Sequence, residues 1–298
     1  MVAGPTGTAP VTLWATNNGG RIWTRSTAPG FVFRGALVTF TDGTHGWFAV
    51  PGEPTSQEQQ QGVVIDRTVD GGKTWRNVAE TAWPPARSTS GAPPFDCGKS
   101  DLSFLDASTG WLTGGCTSGI TFDVTTDGGV TWKAKTLPGP RGMNFVTACE
   151  GGPCSLTAPR FAARGFGYMV LNDTSLYPVR SWLYESRDNG KTWAIHALPG
   201  QETRVLMLNS SVGYASVGVV TDSSDAVVPT APWLYRTDDG GTTWNPVQAN
   251  RQLSYAALSC ASASKCWAVS PSLNGPDPTT RLYLSTDGGR TWSEMPTP

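Results

Sequence analysis

The sequence predicts an all-β fold, a six-bladed β-propeller of four-stranded antiparallel blades with the first blade incomplete at the N-terminus. Three observations carry this prediction. A turn unit of eight residues recurs six times across the 298-residue chain. Short alternating strand patterns fill the intervals between its copies. The composition, with 35 Gly, 23 Pro and only 15% charged residues, is that of a turn-rich β protein.

The unit is plainest in Ser285-Thr286-Asp287-Gly288-Gly289-Arg290-Thr291-Trp292. Its six copies end at Trp23, Trp75, Trp132, Trp193, Trp244 and Trp292, spaced by 48 to 61 residues, the period of a propeller or solenoid. Each opens on a hydroxyl: Thr16, Thr68, Thr125, Ser186, Thr237 or Ser285. Two residues on come Asn18, Asp70, Asp127, Asp188, Asp239 and Asp287, and a glycine always stands three before the tryptophan. Hydroxyl and carboxylate side chains satisfy backbone N–H groups in a tight turn, and glycine supplies positive φ. The tryptophan then anchors the next strand. These residues are therefore expected to be structural.

Between units one plan repeats. Asp101–Leu105 and Trp111–Gly115 form an inner hairpin, Ile120–Val124 runs as a third strand into the unit, and Trp132–Thr136 leaves it as a fourth. Four antiparallel strands make one blade. The blades fall at about 1–26, 31–79, 97–137, 143–198, 203–248 and 253–296, in a single domain spanning 1–298. Val11–Trp14 and Ile22–Thr24 supply only two strands of the first blade, so residues 1–10 or a partner would complete it. Seven blades, or an open ring, are the alternatives. The tryptophans of second strands (Trp47, Trp111, Trp267) and third strands (Trp14, Trp182, Trp233) are expected in the core.

The pattern S/T-x-D-x-G-x-T-W resembles the Asp-box, or BNR repeat, of sialidases, sortilin-type receptors, xyloglucanases and photosystem II assembly factors. The resemblance implies a propeller and spans nearly the whole chain. It also implies that the boxes lie on one face and that the longer loops opposite form the binding face. The family includes enzymes and binding proteins, and a fold does not set a function.

Other features narrow the field. Lys+Arg number 22 against 23 Asp+Glu, a net charge of −1, so no basic excess points to nucleic acid. No apolar run reaches the ~18 residues of a membrane span. The N-terminus lacks the basic start and apolar core of a signal peptide. Six cysteines lie where hairpins could be stapled, and the expected disulfides are Cys97–Cys116, Cys149–Cys154 and Cys260–Cys266. Disulfides place the protein in an oxidising compartment, secreted or periplasmic, with its leader absent from this chain. The only two histidines, His45 and His196, lie near no cysteine pair, so no metal or cofactor is expected.

Arg34, Lys99, Arg204 and Arg251 each precede the first strand of a blade, and Arg141 precedes an inserted segment. Guanidinium groups converging there would form an anion pocket. Trp83 stands in a loop as a candidate for stacking on a sugar or a partner, and Tyr177 with Arg180 forms a polar pair on another loop. The sialidase resemblance implies an arginine triad, a Tyr/Glu nucleophile and an acidic aspartate, but the family's early Arg-Ile-Pro motif is matched only by the arginine of Phe33-Arg34-Gly35-Ala36. No facing carboxylate pair is nominated by the sequence. The expectation is therefore a monomeric, extracytoplasmic, non-catalytic binding or assembly module that takes a partner protein or glycan on its loop face. The alternative is a sialidase-like glycoside hydrolase or polysaccharide lyase.

Overall fold

The computed structural model describes residues 10–16, 18, 20–31, 36–54, 60–82, 87–116, 119–140, 154–173, 180–200, 203–218, 220–221, 227–228, 233–248, 253, 256–271 and 280–295. They form two compact units, Met1–Pro159 and Arg160–Pro298. Among the described residues all regular structure is β apart from isolated single turns, and none of them forms a helix long and apolar enough to cross a membrane.

The first unit opens with a two-stranded hairpin, β1 (Pro10–Ala15) and β2 (Thr24–Phe31). Two four-stranded antiparallel sheets follow, each in up-and-down order. The first comprises β3 (Leu37–Phe40), β4 (Gly46–Pro51), β5 (Val63–Thr68) and β6 (Arg76–Thr81). The second comprises β7 (Asp101–Phe104), β8 (Gly110–Cys116), β9 (Gly119–Thr125) and the short β10 (Lys133–Ala134). A short strand, β11 (Cys154–Leu156), packs beside β8, where Thr113 Oγ1 donates to Leu156 O at 2.9 Å.

The second unit repeats the plan three times. Its sheets are β12 (Arg160–Ala163), β13 (Phe166–Asp173), β14 (Arg180–Ser186) and β15 (Ala194–Ala197), then β16 (Arg204–Met207) and β17 (Gly213–Ser216). A two-stranded excursion, β18 (Val220–Thr221) and β19 (Val227–Val228), interrupts the latter before β20 (Leu234–Thr237) and β21 (Asn245–Gln248) complete it. The last is β22 (Ala257–Cys260), β23 (Cys266–Pro271), β24 (Thr280–Ser285) and β25 (Ser293–Glu294).

The boxes form the turns between third and fourth strands, and their side chains make the turn. In the second box Thr68 Oγ1 donates to Asp70 Oδ1 at 2.8 Å and accepts from Gly72 N at 2.9 Å. Asp70 also accepts from Lys73 N, Thr74 N and Thr74 Oγ1 at 3.0, 2.9 and 2.6 Å. The indole of Trp75 turns back to donate to Gly72 O at 3.2 Å. Gly71 and Gly72, at φ 75° and 85°, supply the left-handed backbone that the turn requires. The same set of bonds recurs around Asp127, Asp188, Asp239 and Asp287. Hydrogen bonds from the box threonine at the end of each turn lead the causes that hold Asp70, Asp188, Asp239 and Asp287 at about 2.

Middle strands such as β4, β13, β14 and β17 are the most buried, while β3, β12, β22 and the short fourth strands β10 and β25 are largely exposed. In the first unit Trp47, fully buried, stacks on Phe104 of the next sheet at 3.6 Å, and its indole donates to Gly128 O at 2.8 Å. Tyr214 and Tyr283 sit in one buried cluster of the second unit, and Phe166 and Tyr168 in another. The β1–β2 hairpin differs from the expectation that its tryptophans are core. Its box turn forms, with Gly20 N donating to Thr16 Oγ1 at 2.9 Å, but Trp14 and Trp23 are 54% and 53% exposed. A lone hairpin gives these rings no sheet face to bury against.

One cross-strand position recurs in all five inner hairpins. Phe40 faces Gly46, Phe104 faces Gly110, Phe161 faces Gly167, and Met207 faces Gly213. Each large side chain lies over its glycine so closely that a Cβ there would collide with it. In the last sheet the same position is occupied by Cys260 and Cys266, joined in the expected disulfide. Cys97 and Cys154 are disulfide-bonded too. The side chains of their expected partners, Cys116 and Cys149, lie outside the described residues.

Candidate functional site

A polar cluster of the first unit forms where the loop before β7 crosses the second sheet. The loop from Pro93 to Lys99 is held there by residues distant in sequence. Gln61 N donates to Asp96 O at 2.7 Å, Gln61 Nε2 to Gly52 O at 2.5 Å, and Lys99 N to Gln61 Oε1 at 2.9 Å. Thr81 Oγ1 donates to Pro93 O. Gly114 lets the loop lie flat on β8, since a Cβ at that position would come to 1.8 Å from Gly98 O.

This clamp turns Lys99 inward. Its side chain is fully buried, pairs with Asp96 Oδ1, and donates to Cys97 O at 2.7 Å. Burying an ammonium is costly without such partners. Asp96 is 40% exposed and accepts from Thr121 Oγ1 at 3.3 Å. Asp123 lies behind it on β9, 1% exposed, and neither carboxyl oxygen has a hydrogen-bond partner. Burial, reinforced by the charge of Asp96 and opposed by Lys99, pushes the Asp123 carboxyl up to about 7. One carboxylate thus faces solvent beside a cation, and a second carboxyl behind it keeps its proton close to neutrality.

Of the residues nominated from sequence, Lys99 is in this cluster and engaged by Asp96 rather than standing on a solvated rim. Arg204 and Arg180 are exposed at the starts of β16 and β14, the latter across from Asp173. Arg34, Arg141, Arg251, Trp83 and Tyr177 lie outside the described residues. Asp96 and Asp123 were not nominated. A signal for Asp123 existed: two residues before the box hydroxyl the chain has Asp66 and Asp123, where the other copies have Trp14, Tyr184, Tyr235 and Tyr283. Asp66 is buried as well, and burial raises its carboxyl above the usual range. No signal marked Asp96.

The second unit holds a different cluster. Glu185, 5% exposed, accepts from His196 Nε2 at 3.0 Å and pairs with Arg187 Nε at 2.5 Å. Both partners come from its own sheet and its box, so this is a structural ion pair. No group of three or more potential metal ligands occurs among the described residues.

The turn geometry and the pattern of residues 283–294 match the BNR/Asp-box repeat. This chain carries Asp-box repeats. The four-stranded antiparallel sheets that carry them have the form of β-propeller blades, the fold of the solved structures this chain resembles. The GH74 xyloglucanase from Xanthomonas campestris aligns with a TM-score of 0.51 at 16% identity, over 84% of this chain and 36% of the enzyme. The GH93 alpha-L-arabinofuranosidase of Fusarium graminearum, solved with arabinobiose, aligns with a TM-score of 0.51 at 9% identity, over 93% of this chain and 85% of the enzyme. Trypanosoma rangeli sialidase aligns with a TM-score of 0.50 at 14% identity, over 93% and 49%. The chain therefore spans about a third of the xyloglucanase and half of the sialidase. No curated protein sequence matches it. These neighbours correct the expectation of a non-catalytic binding or assembly module: they are glycoside hydrolases, and they favour the alternative reading.

Proposed function

We propose that this Asp-box chain is a glycoside hydrolase that works outside the cytoplasm on a glycan held against its loop face. The observation that carries the reading is the Asp96–Lys99–Asp123 cluster, an exposed carboxylate backed by a cation and by a buried carboxyl that keeps its proton to about pH 7. Asp96 is the group a ligand reaches, and it exchanges a proton with the glycosidic oxygen or the attacking water. Asp123 is a positioning residue: while protonated it is neutral behind the Asp96–Lys99 pair, and on ionising it sets a negative charge there. The three enzymes named above, each acting on glycosides, support this choice of reaction, and the Cys260–Cys266 disulfide supports an oxidising compartment. The protein is proposed to act as a monomer, with a glycan rather than nucleic acid as its partner.

A panel of aryl glycosides and plant and microbial polysaccharides tests this. The wild type should release reducing sugar from at least one member, and Asp96→Asn should retain under about 1% of that rate. Asp123→Asn should stay active but lose the inflection near pH 7. If no member of the panel is cleaved, the reading fails; an unsaturated sugar product would make the reaction a lyase elimination instead.

A further inference from the structure

The boxes were expected to be the idle side of this protein, yet one of them borders an unbalanced charge. A groove of about 500 Å³ is lined by Arg67 at the end of β5, Thr74 and Trp75 of the following box, Arg76 and Asn77 on β6, and Val130 from the next box. Arg67 and Arg76 are directly paired across β5 and β6. Like charges in that relation repel. Neither has an ion-pair partner among the described residues, no acidic side chain lines the groove, and Arg67 Nε is buried without an acceptor.

The second unit has the same construction with the charge answered. Arg236 occupies the place of Arg67, one residue before its box hydroxyl. Arg67 lies over the ring of Trp47, its neighbour on β4, at 5.4 Å; Arg236 lies over Tyr214, its neighbour on β17, at 5.6 Å. Each guanidinium comes close to the first glycine of a following box, Gly128 or Gly288. Around Arg236, however, Asp238 accepts from Nε and Nη2 at 3.1 and 2.6 Å, and Tyr214 accepts from Nη1 at 2.9 Å. Val69 takes the place of Asp238 in the first unit, and Arg76 takes the place of Asn245. Two substitutions at matched positions have removed a carboxylate and added a guanidinium.

We infer that this groove is a binding site for an oxyanion carried on a sugar, a uronate carboxylate or a sulfate ester. The two arginines would clamp the oxyanion through charge-assisted hydrogen bonds. The indole of Trp75 gives an apolar wall for a sugar ring. The site is separate from the Asp96 cluster, and the inference stands without the catalytic reading.

Titration calorimetry tests it with trigalacturonate, neutral galactotriose and inorganic sulfate as probes. The wild type should bind trigalacturonate and not galactotriose, with sulfate competing at higher concentration. Arg76→Gln, at an exposed position, should weaken binding about ten-fold. Val69→Asp restores the counter-charge present around Arg236 and should abolish binding while leaving any glycan hydrolysis unchanged. Wild-type affinity in both variants, or no heat with any anionic probe, overturns the site. Sulfate binding as tightly as trigalacturonate overturns the sugar and leaves a bare oxyanion site. Because hydrolysis is read separately, an inactive Asp96→Asn that still binds trigalacturonate keeps the two conclusions apart.

Discussion

Asp123 and Asp127 stand four residues apart on one strand and the turn that follows it, yet their carboxyl groups behave oppositely. Asp127, in the box, is surrounded by donors: Thr125 Oγ1, the backbone of Val130 and Thr131, and Thr131 Oγ1 at 2.6 Å. Burial pushes its carboxyl up, but these bonds together outweigh it and hold the group below the usual range. Asp123, with no donor, is pushed up to about 7. Local donors, not the sheet they share, decide which carboxylate is inert and which is poised. The box acids are held by the turns they build, whereas Asp123 is buried with nothing to answer its charge.

Five experiments sharpen or break this contrast. The largest effect is expected from the ring that the box positions. Trp132→Ala, at a buried indole that packs on Phe104, should cost about 4 kcal/mol in urea denaturation, and a loss below ~1 kcal/mol would mean the box does not anchor the sheet. Next is the ionisation of Asp123. A carboxyl whose folded pKa is raised lowers stability as pH climbs from its unfolded value near 4 to about 7. Asp123→Asn should therefore match the wild type at pH 4 and exceed it by about 4 kcal/mol at pH 8; parallel pH profiles would remove the premise of the site. Asp127→Ala should cost about 2 kcal/mol, since it strips acceptors from two backbone amides and a hydroxyl. The box acids together should give the opposite pH signature, because depressed carboxyls stabilise above pH ~4 and lose that contribution as pH falls through about 2. A melting temperature unchanged from pH 5 to pH 2 contradicts it. Smallest is Trp23→Ala, which should change stability by under ~1 kcal/mol because the ring is half exposed.

The same contrast explains what the sequence made legible. Box turns use a fixed chemistry at fixed spacing, so the positions of Thr68, Asp70, Gly72 and Trp75 could be read directly, and with them the order of strands in every sheet. The Asp96 cluster depends on Gln61 reaching a loop 38 residues on through Lys99 N, and on a glycine that lets that loop lie against β8. Contacts of that separation leave no periodic trace. Lys99 was found as a cation before a first strand, but its inward turn is set by Asp96 and the carbonyl of Cys97, which spacing does not reveal. Trp14 and Trp23 followed the pattern and still came out exposed, because burial needs a neighbouring sheet as well as a strand.

The hairpin position shared by Phe40–Gly46 and Cys260–Cys266 carries a consequence for redox chemistry. Four hairpins close that slot with a bulky side chain resting on a bare backbone, and the fifth closes it with a covalent bond. The two closures are interchangeable parts: a chain carrying Cys260→Phe and Cys266→Gly should keep the last sheet without its sulfur link. Oxidation at this hairpin would then be one solution among two, and the last sheet of that variant should lose no stability when reductant is added, whereas the wild type should.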